Sequence, residues 1–331
     1  MSDREIYDIT LIGAGPVGLF GCFYAGMRGM KTRVMDSLPE AGGQLTALYP
    51  EKYIFDMPGF PKILARDLAQ HMIEQGMRFN PTLTLGERAQ SLQRVEDGLL
   101  EITGESGETY LTRTLVICAG AGAFAPKKLT APGMQDFEGR GVHYYVHDRK
   151  AFTGRRVVIV GGGDSALDWA QNLSHVAKSV TVAHRRDVFR AHEDSVDWLL
   201  NRSQVQTRLF REVDRLEGNH TLERAILTDS RTGEQEIIEI DDCIITIGFT
   251  ASIGPLRTWG LELEGPQIRV NERMETNLPG VFAAGDICIH PNKLKLIATG
   301  VGEVCTAVNV AKTWIDPSAR AFPGHSSNMQ L

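Results

Sequence analysis

The sequence has no pair of cysteines spaced as CxxC. Its five cysteines, Cys22, Cys118, Cys243, Cys288 and Cys305, are odd in number, scattered, and mostly set inside apolar stretches. Neighbouring residues therefore cannot assemble a redox-active dithiol or a zinc ribbon, and the pattern suits buried, reduced thiols. No metal site is expected. The chain also lacks any apolar run of about 18 residues, the length a membrane-spanning helix needs, so no membrane association is expected. The opening MSDREIYDIT carries charges ahead of a strand-like stretch and has neither the apolar core nor the cleavage site of a signal peptide. The expected compartment is the cytoplasm. Positive charge is in deficit, with 35 Lys and Arg against 41 Asp and Glu. That balance argues against a general nucleic-acid surface.

What is there is length, glycine and a repeated grammar. At 331 residues the chain is of a size for two domains. Residues Ile6 to Ile12 read as a buried strand that runs into Gly13-Ala-Gly15-Pro-Val-Gly18, a helix-compatible stretch and a second strand, KTRVMD. The same order returns later: a strand from Arg155 to Val160, the turn Gly161-Gly-Gly163-Asp-Ser-Ala166, the helical SALDWAQNLSHV and the strand SVTVAHRR. Short β-rich stretches, LLEITGESGETYLTRTLVICAG and RAILTDSRTGEQEIIEIDDCIITIG, read as antiparallel additions to each unit. A further glycine–aspartate turn, VFAAGDI, precedes a helical pattern from Leu296 to Trp314. It is simplest to let the chain return to the first unit there, with the second unit inserted into the first.

A GxGxxG turn permits a tight strand-to-helix corner and brings backbone N–H groups to a pyrophosphate at the positive end of a helix. Alone it is a weak signal. Here Gly13, Gly15 and Gly18 follow a strand, open a helix, and are followed by Asp36 at the end of the next strand, where a carboxylate accepts ribose hydroxyls. The second turn has Gly161, Gly163 and Ala166, but its next strand ends in His184-Arg185-Arg186, with Arg190 beyond. The guanidinium groups would repel one another if left empty, whereas a 2'-phosphate accepts several charge-assisted bonds from them. The alternative is a solvated basic helix start. A carboxylate would clash with a 2'-phosphate, so the first turn suits FAD and the second NADPH.

The motifs GAGPVG, AGGQL, GGGDSA, HRRDVFRA and VFAAGDI, in that order over essentially the whole chain, resemble the thioredoxin-reductase-like flavoproteins. Within that group GGQLTALYPEKYIFDMPGFPKI and the tail FPGHSSNMQL resemble the thioredoxin-reductase-type ferredoxin–NADP reductases. Thioredoxin reductases proper carry a CxxC just before the second glycine turn, where this chain reads HYYVHD from His143 to Asp148. A mechanism through protein thiols is therefore hard to support. The resemblance implies an α/β fold of two Rossmann-like domains of the three-layer ββα type. The FAD domain would comprise 1–121 and 249–331, ending in a tail of 317–331, and the NADPH domain 122–248.

By the same resemblance, Pro16, Gly43, Gln44, Leu45, Tyr49, Asp56, Phe124, Asp286 and Thr299 line FAD beside the glycines and Asp36, and the backbone of Ala89 meets its adenine. Asp164 and Ser165 join the second turn in holding NADPH. In relatives the tail of the other chain of a homodimer lays an aromatic ring on the flavin. His325 matches that position, with Ser326 and Ser327 beside it, and a titratable ring there departs from the tyrosine or phenylalanine of relatives. Tyr49, His325 and Ser326 are the catalytic candidates: two rings that cover the flavin, and a hydroxyl for a proton route. The implied reaction passes electrons between NADPH and ferredoxin or flavodoxin. Lys127-Lys128, Arg149-Lys150 and Arg155-Arg156 are the cationic pairs available to an acidic partner. The alternatives are a reductase of low-molecular-weight disulfides or an oxidase on the same scaffold, and a nucleotide-binding redox sensor without turnover.

Overall fold

The structure, a computed structural model, describes residues 5–146, 148–321, 324, 325 and 327, and for residues 123–125 and 249–251 the backbone alone. The chain divides into two compact units, Met1–Phe124 with Ala251–Leu331, and Ala125–Thr250. Both are Rossmann-like, and the second is inserted into the first.

In the first unit the strand Ile6–Ile12 is flanked by Thr32–Asp36 and Thr109–Ile117, both parallel to it, with Thr82–Leu85 beyond the former. The late strand Val281–Ala283 joins the same sheet beside Thr109–Ile117, placing Ala283 against Ile117. That pairing returns the chain to its starting domain. A meander of Ala89–Arg94, Leu100–Gly104 and Thr109–Ile117 supplies the antiparallel layer. Ile12 lies opposite Met35 and Ile117. The turns that follow these strands therefore gather at one edge of the sheet, where open α/β folds bind their ligands.

The helix Pro16–Met27 starts with proline at its first turn, where no N–H is needed, and stops before Gly29 at φ +64°. It is squeezed between sheet and helix: a Cβ on Gly21 would lie 2.4 Å from a Leu11 methyl and 2.7 Å from one of Val304. The helix Ile297–Ile315 buries Gly300, Glu303, Val304, Ala307, Val308 and Ala311, a stripe at the three- and four-residue helical spacing. All but one are apolar or lack a side chain, and a fully buried valine contributes about 1.5–3 kcal/mol. The exception is Glu303.

In the second unit five parallel strands run in the order Val142–His143, Asp242–Ile245, Arg156–Val160, Ser179–His184 and Gln206–Leu209. The helix Asp164–Ser174 covers one face, and an antiparallel sheet of Arg211–Gly218, Leu222–Asp229 and Gln235–Glu239 completes the unit. Two boundaries differ from the sequence reading. The strand ends at His184, leaving Arg185 and Arg186 beyond it, and Asp242–Ile245 belongs to the parallel sheet rather than to the antiparallel addition. Its residues are all buried, so the run lacks the alternation that marks a strand with one wet face.

Candidate functional site

The three glycines of the first turn have separate physical reasons. Gly13 has φ +109°, and a Cβ there would stand 2.4 Å from Cys118 O; a Cβ on Gly18 would stand 1.8 Å from Gly13 O. These two close the corner. Gly15 is different: its nearest outside atom is Gly43 Cα at 3.8 Å, so this side of the turn is open. No side chain caps the helix that begins at Pro16. An uncapped helix N-terminus behind an open glycine fits a pyrophosphate.

Asp36 ends its strand and turns back on the glycines. Its Oδ2 accepts the Ala14 N–H at 2.6 Å and its Oδ1 the Leu38 N–H at 2.8 Å. Burial pushes its carboxyl above the ordinary value against the pull of these backbone donors. Glu87 N–H in turn donates to Asp36 O, and Gly86 N–H to Leu38 O, which brings the start of the buried strand residue Ala89 towards the same corner.

The short helical turn Gln44–Ala47 follows Gly43 and buries Leu45. Gln44 reaches towards Gly120, whose Cβ would lie 3.3 Å from its Nε2. Tyr49 is half-buried against a cluster that includes Leu19, Leu45 and Leu68. Burial raises its phenol pKa, and the carboxylates of Asp286 and Asp56 add to the shift, so these three side chains share one neighbourhood. Thr299 is occupied locally, its hydroxyl 2.8 Å from Leu294 O and 2.9 Å from Leu296 O. The side chain of Phe124, and Ser326 entirely, lie outside the described residues; His325 and Ser327 are exposed. The tail is held on its own unit as far as Ala321, because Arg28 donates to Arg320 O at 2.7 Å and Asn309 to Ala321 O. The ten residues after Ala321 reach about 35 Å when extended, less than the whole tail allows.

The sequence reading missed Glu303 and Lys293. The carboxylate accepts the Gly285 N–H at 2.8 Å behind the AAGD turn, and the ammonium bonds both its oxygens. The legible signal was a lone acid in the small and apolar run GVGEVCTAV.

In the second unit a Cβ on Gly161 would lie 2.4 Å from Thr246 Oγ1 and one on Gly162 2.2 Å from the His184 ring, while nothing stands within 4 Å of a Cβ on Gly163. The open glycine again precedes an uncapped helix start, at Asp164 and Ser165, and Ala166 is buried beneath it. The far end of the basic segment is tied to this turn twice: Arg190 N–H donates to Gly162 O at 2.7 Å, and His192 N–H to Asp164 Oδ1 at 2.8 Å. His184 is buried under the turn, stacked on Phe189 with centroids 5.0 Å apart. Arg185, Arg186 and Arg190 are exposed around it.

Three of the cationic residues named for partner docking are engaged at home. Lys128 pairs with Glu138, Arg155 with Asp242, and Arg156 with Asp241 and Glu239.

The profile of the pyridine nucleotide-disulphide oxidoreductases matches residues 7–309. A ferredoxin–NADP reductase of Symbiobacterium thermophilum is 51% identical over 331 residues, covering 99% of this chain and 98% of its own. One from Shouchella clausii, named ferredoxin–NADP reductase 2, is 50% identical over 327 residues, 98% of both chains. Among solved structures, the thioredoxin reductase of Lactococcus lactis aligns with TM-score 0.75 at 26% identity over 93% of this chain and 99% of its own. That of T. acidophilum aligns with TM-score 0.76 at 26% identity, over 96% and 100%. With full-length identity to the first group and the fold of the second, the chain belongs to the pyridine nucleotide-disulphide oxidoreductase family, and within it to the ferredoxin–NADP reductases of the thioredoxin-reductase-like type.

Proposed function

We propose that this flavoenzyme passes electrons between NADPH and ferredoxin, with FAD held by the first unit and NADPH by the second. The observation that carries the reading is one turn used twice with opposite charge at its ribose edge: a half-buried carboxylate, Asp36, beside the first, and exposed Arg185, Arg186 and Arg190 beside the second. Ribose hydroxyls donate to the former, and a 2'-phosphate accepts from the latter.

Bound FAD supplies the conversion between hydride transfer, which moves two electrons together, and the one-electron chemistry of an iron–sulfur acceptor. The chain's task is orientation. Gly13, Gly15, Pro16 and Gly18 would hold the pyrophosphate, with Gly43 as the facing wall, and Ala89 would meet the adenine. Gln44, Leu45, Asp56, Phe124, Asp286 and Thr299 would line the remainder. The Tyr49 ring would cover one flavin face and His325 of a second copy the other, with Ser326 or Ser327 passing a proton. In the second unit Gly161, Gly163, Asp164, Ser165 and Ala166 would cradle the NADPH pyrophosphate, and His184 would support the arginines from below.

The disulfide-reductase alternative loses ground on the thiols themselves. Burial pushes Cys22, Cys243 and Cys288 up to about 12 and Cys305 to about 11, and raises Cys118 as well. Such groups are poor sources of thiolate. Anaerobic titration with NADPH, followed by ferredoxin and separately by flavodoxin or an artificial disulfide, tests the reading. Bleaching of the flavin absorbance by NADPH and its recovery with ferredoxin are expected. Flavin that stays oxidised for minutes after mixing would leave only a sensor.

A further inference from the structure

Behind the Gly285–Asp286 turn lies a buried polar cluster that the reading above does not use. Glu303 Oε2 accepts the Gly285 N–H at 2.8 Å, and Lys293 Nζ donates to both carboxylate oxygens at 2.6 Å. His290 Nε2 stands 3.0 Å from Oε1, while its Nδ1 faces Pro291 O at 2.9 Å. The Cys288 thiol points at Gly285 O, 3.2 Å away. The side chains of Glu303 and Lys293 are 9% and 2% exposed. Cys288, His290 and Glu303 present donor atoms within 4.8 Å of one another, the arrangement of a metal site, but the Lys293 ammonium already fills the cation's place.

A buried ion pair is often no more stabilising than apolar groups of the same shape, so stability alone does not account for it. Its geometry does. Gly285 has φ +81°, and its Cα is pressed between the first and last helices: a Cβ on it would lie 3.2 Å from Val17, and a Cβ on Gly300 would lie 3.2 Å from Gly285 Cα. Val17 belongs to the helix whose N-terminus faces the pyrophosphate, and Asp286, beside Tyr49, is the next residue after Gly285. A shift of the Gly285 peptide moves both. Lys293 and His290 restrain the carboxylate, and the carboxylate restrains the peptide.

We propose that Glu303, clamped by Lys293 and His290, is a positioning residue that fixes the Gly285 peptide and thereby sets how firmly FAD is retained. The inference rests on the reading that FAD lies along Asp286. Dilution of the holoenzyme, with free FAD followed by its fluorescence, measures release directly. The informative variant is Glu303→Leu with Lys293→Met, which removes both charges, preserves volume and withdraws the acceptor from Gly285. It is expected to release FAD about 10-fold faster, the scale of one lost buried hydrogen bond, with NADP binding unchanged. Restoring an uncharged acceptor, Glu303→Gln with Lys293→Met, should bring release back to within about threefold of the parent. If the Leu/Met protein does not fold, Glu303→Asp, which keeps the charge and withdraws the acceptor by one methylene, should also release FAD faster. Parent-like release from Leu/Met, or no recovery with Gln/Met, overturns the proposal. Asp286→Ala separates the two layers: if it speeds release and Leu/Met does not, positioning alone fails. If Asp286→Ala also changes nothing, the placement of FAD fails with it.

Discussion

Asp36 and Ala14 are joined across 22 residues by a 2.6 Å hydrogen bond from the Ala14 N–H to the Asp36 carboxylate. One side chain thus braces the glycine turn and, in the proposed reading, would also face the ribose edge. Asp36→Ala should weaken FAD binding about 10- to 100-fold, the range for losing hydrogen bonds to a charged acceptor. Titration of FAD into the stripped protein measures it, and parent-like affinity would remove Asp36 from the site.

Glycines of the two turns offer a cleaner contrast. At Gly163 the backbone is extended, with φ −103°, and a Cβ meets nothing within 4 Å. Gly163→Ala should leave stability within about 1 kcal/mol of the parent while raising the KM for NADPH, since the methyl meets no protein atom and would enter the space the pyrophosphate is proposed to take. Gly18→Ala puts its Cβ 1.8 Å from Gly13 O and should depress the melting temperature along with FAD content. If Gly163→Ala binds NADPH normally, the pyrophosphate does not approach this turn.

Replacing Arg185 and Arg186 by alanine should raise the KM for NADPH by about 10-fold or more, each charge-assisted bond being worth about 1.5–3 kcal/mol, and leave NADH nearly unchanged. Equal losses for both nucleotides would refute the 2'-phosphate assignment.

The two strand–turn–helix units were legible because glycine spacing and buried strands are local properties. The return of the chain to its first unit was legible from VFAAGDI, which had no place in two consecutive domains. Less legible was what each polar side chain does. Asp164 and His184 are candidates for ligand contact, and the fold adds contacts the sequence does not show: the Asp164 carboxylate accepts His192 N–H and the His184 ring lies under Gly162, arrangements created by a loop folding back over a turn. Arg155 and Arg156 read as surface charge because their partners, Asp242, Asp241 and Glu239, lie more than 80 residues away, around the junction of two strands. Glu303 showed only as a lone acid in an apolar run; its partners lie 10 to 18 residues away and become its neighbours only when the last helix docks.

One of those distant pairings carries a pH signature. Burial raises the Asp242 carboxyl, but His143, at 2.8 Å, and Arg155 more than offset that, so its folded pKa lies below the ordinary value. A depressed carboxyl contributes stability that is complete above its unfolded pKa, about 4, and is lost as the pH falls through the folded value. Asp242→Asn should therefore cost about 2 kcal/mol at pH 7, and the gap from the parent should narrow below about pH 4. Denaturant unfolding at both pH values decides it, and a gap independent of pH would assign the loss to packing.

The strand Val281–Ala283 and the helix Ile297–Ile315 complete a sheet and a core begun by the first 124 residues. On the ribosome the chain is made in the opposite order to its completion: residues 125–250 emerge with every strand they need, while the N-terminal part still lacks the last strand of its main sheet, a small three-stranded sheet and its longest helix. The inserted unit can close first, and the N-terminal unit must wait for the end of synthesis, so an arrested or truncated chain would yield a finished inserted unit attached to an unfinished N-terminal one.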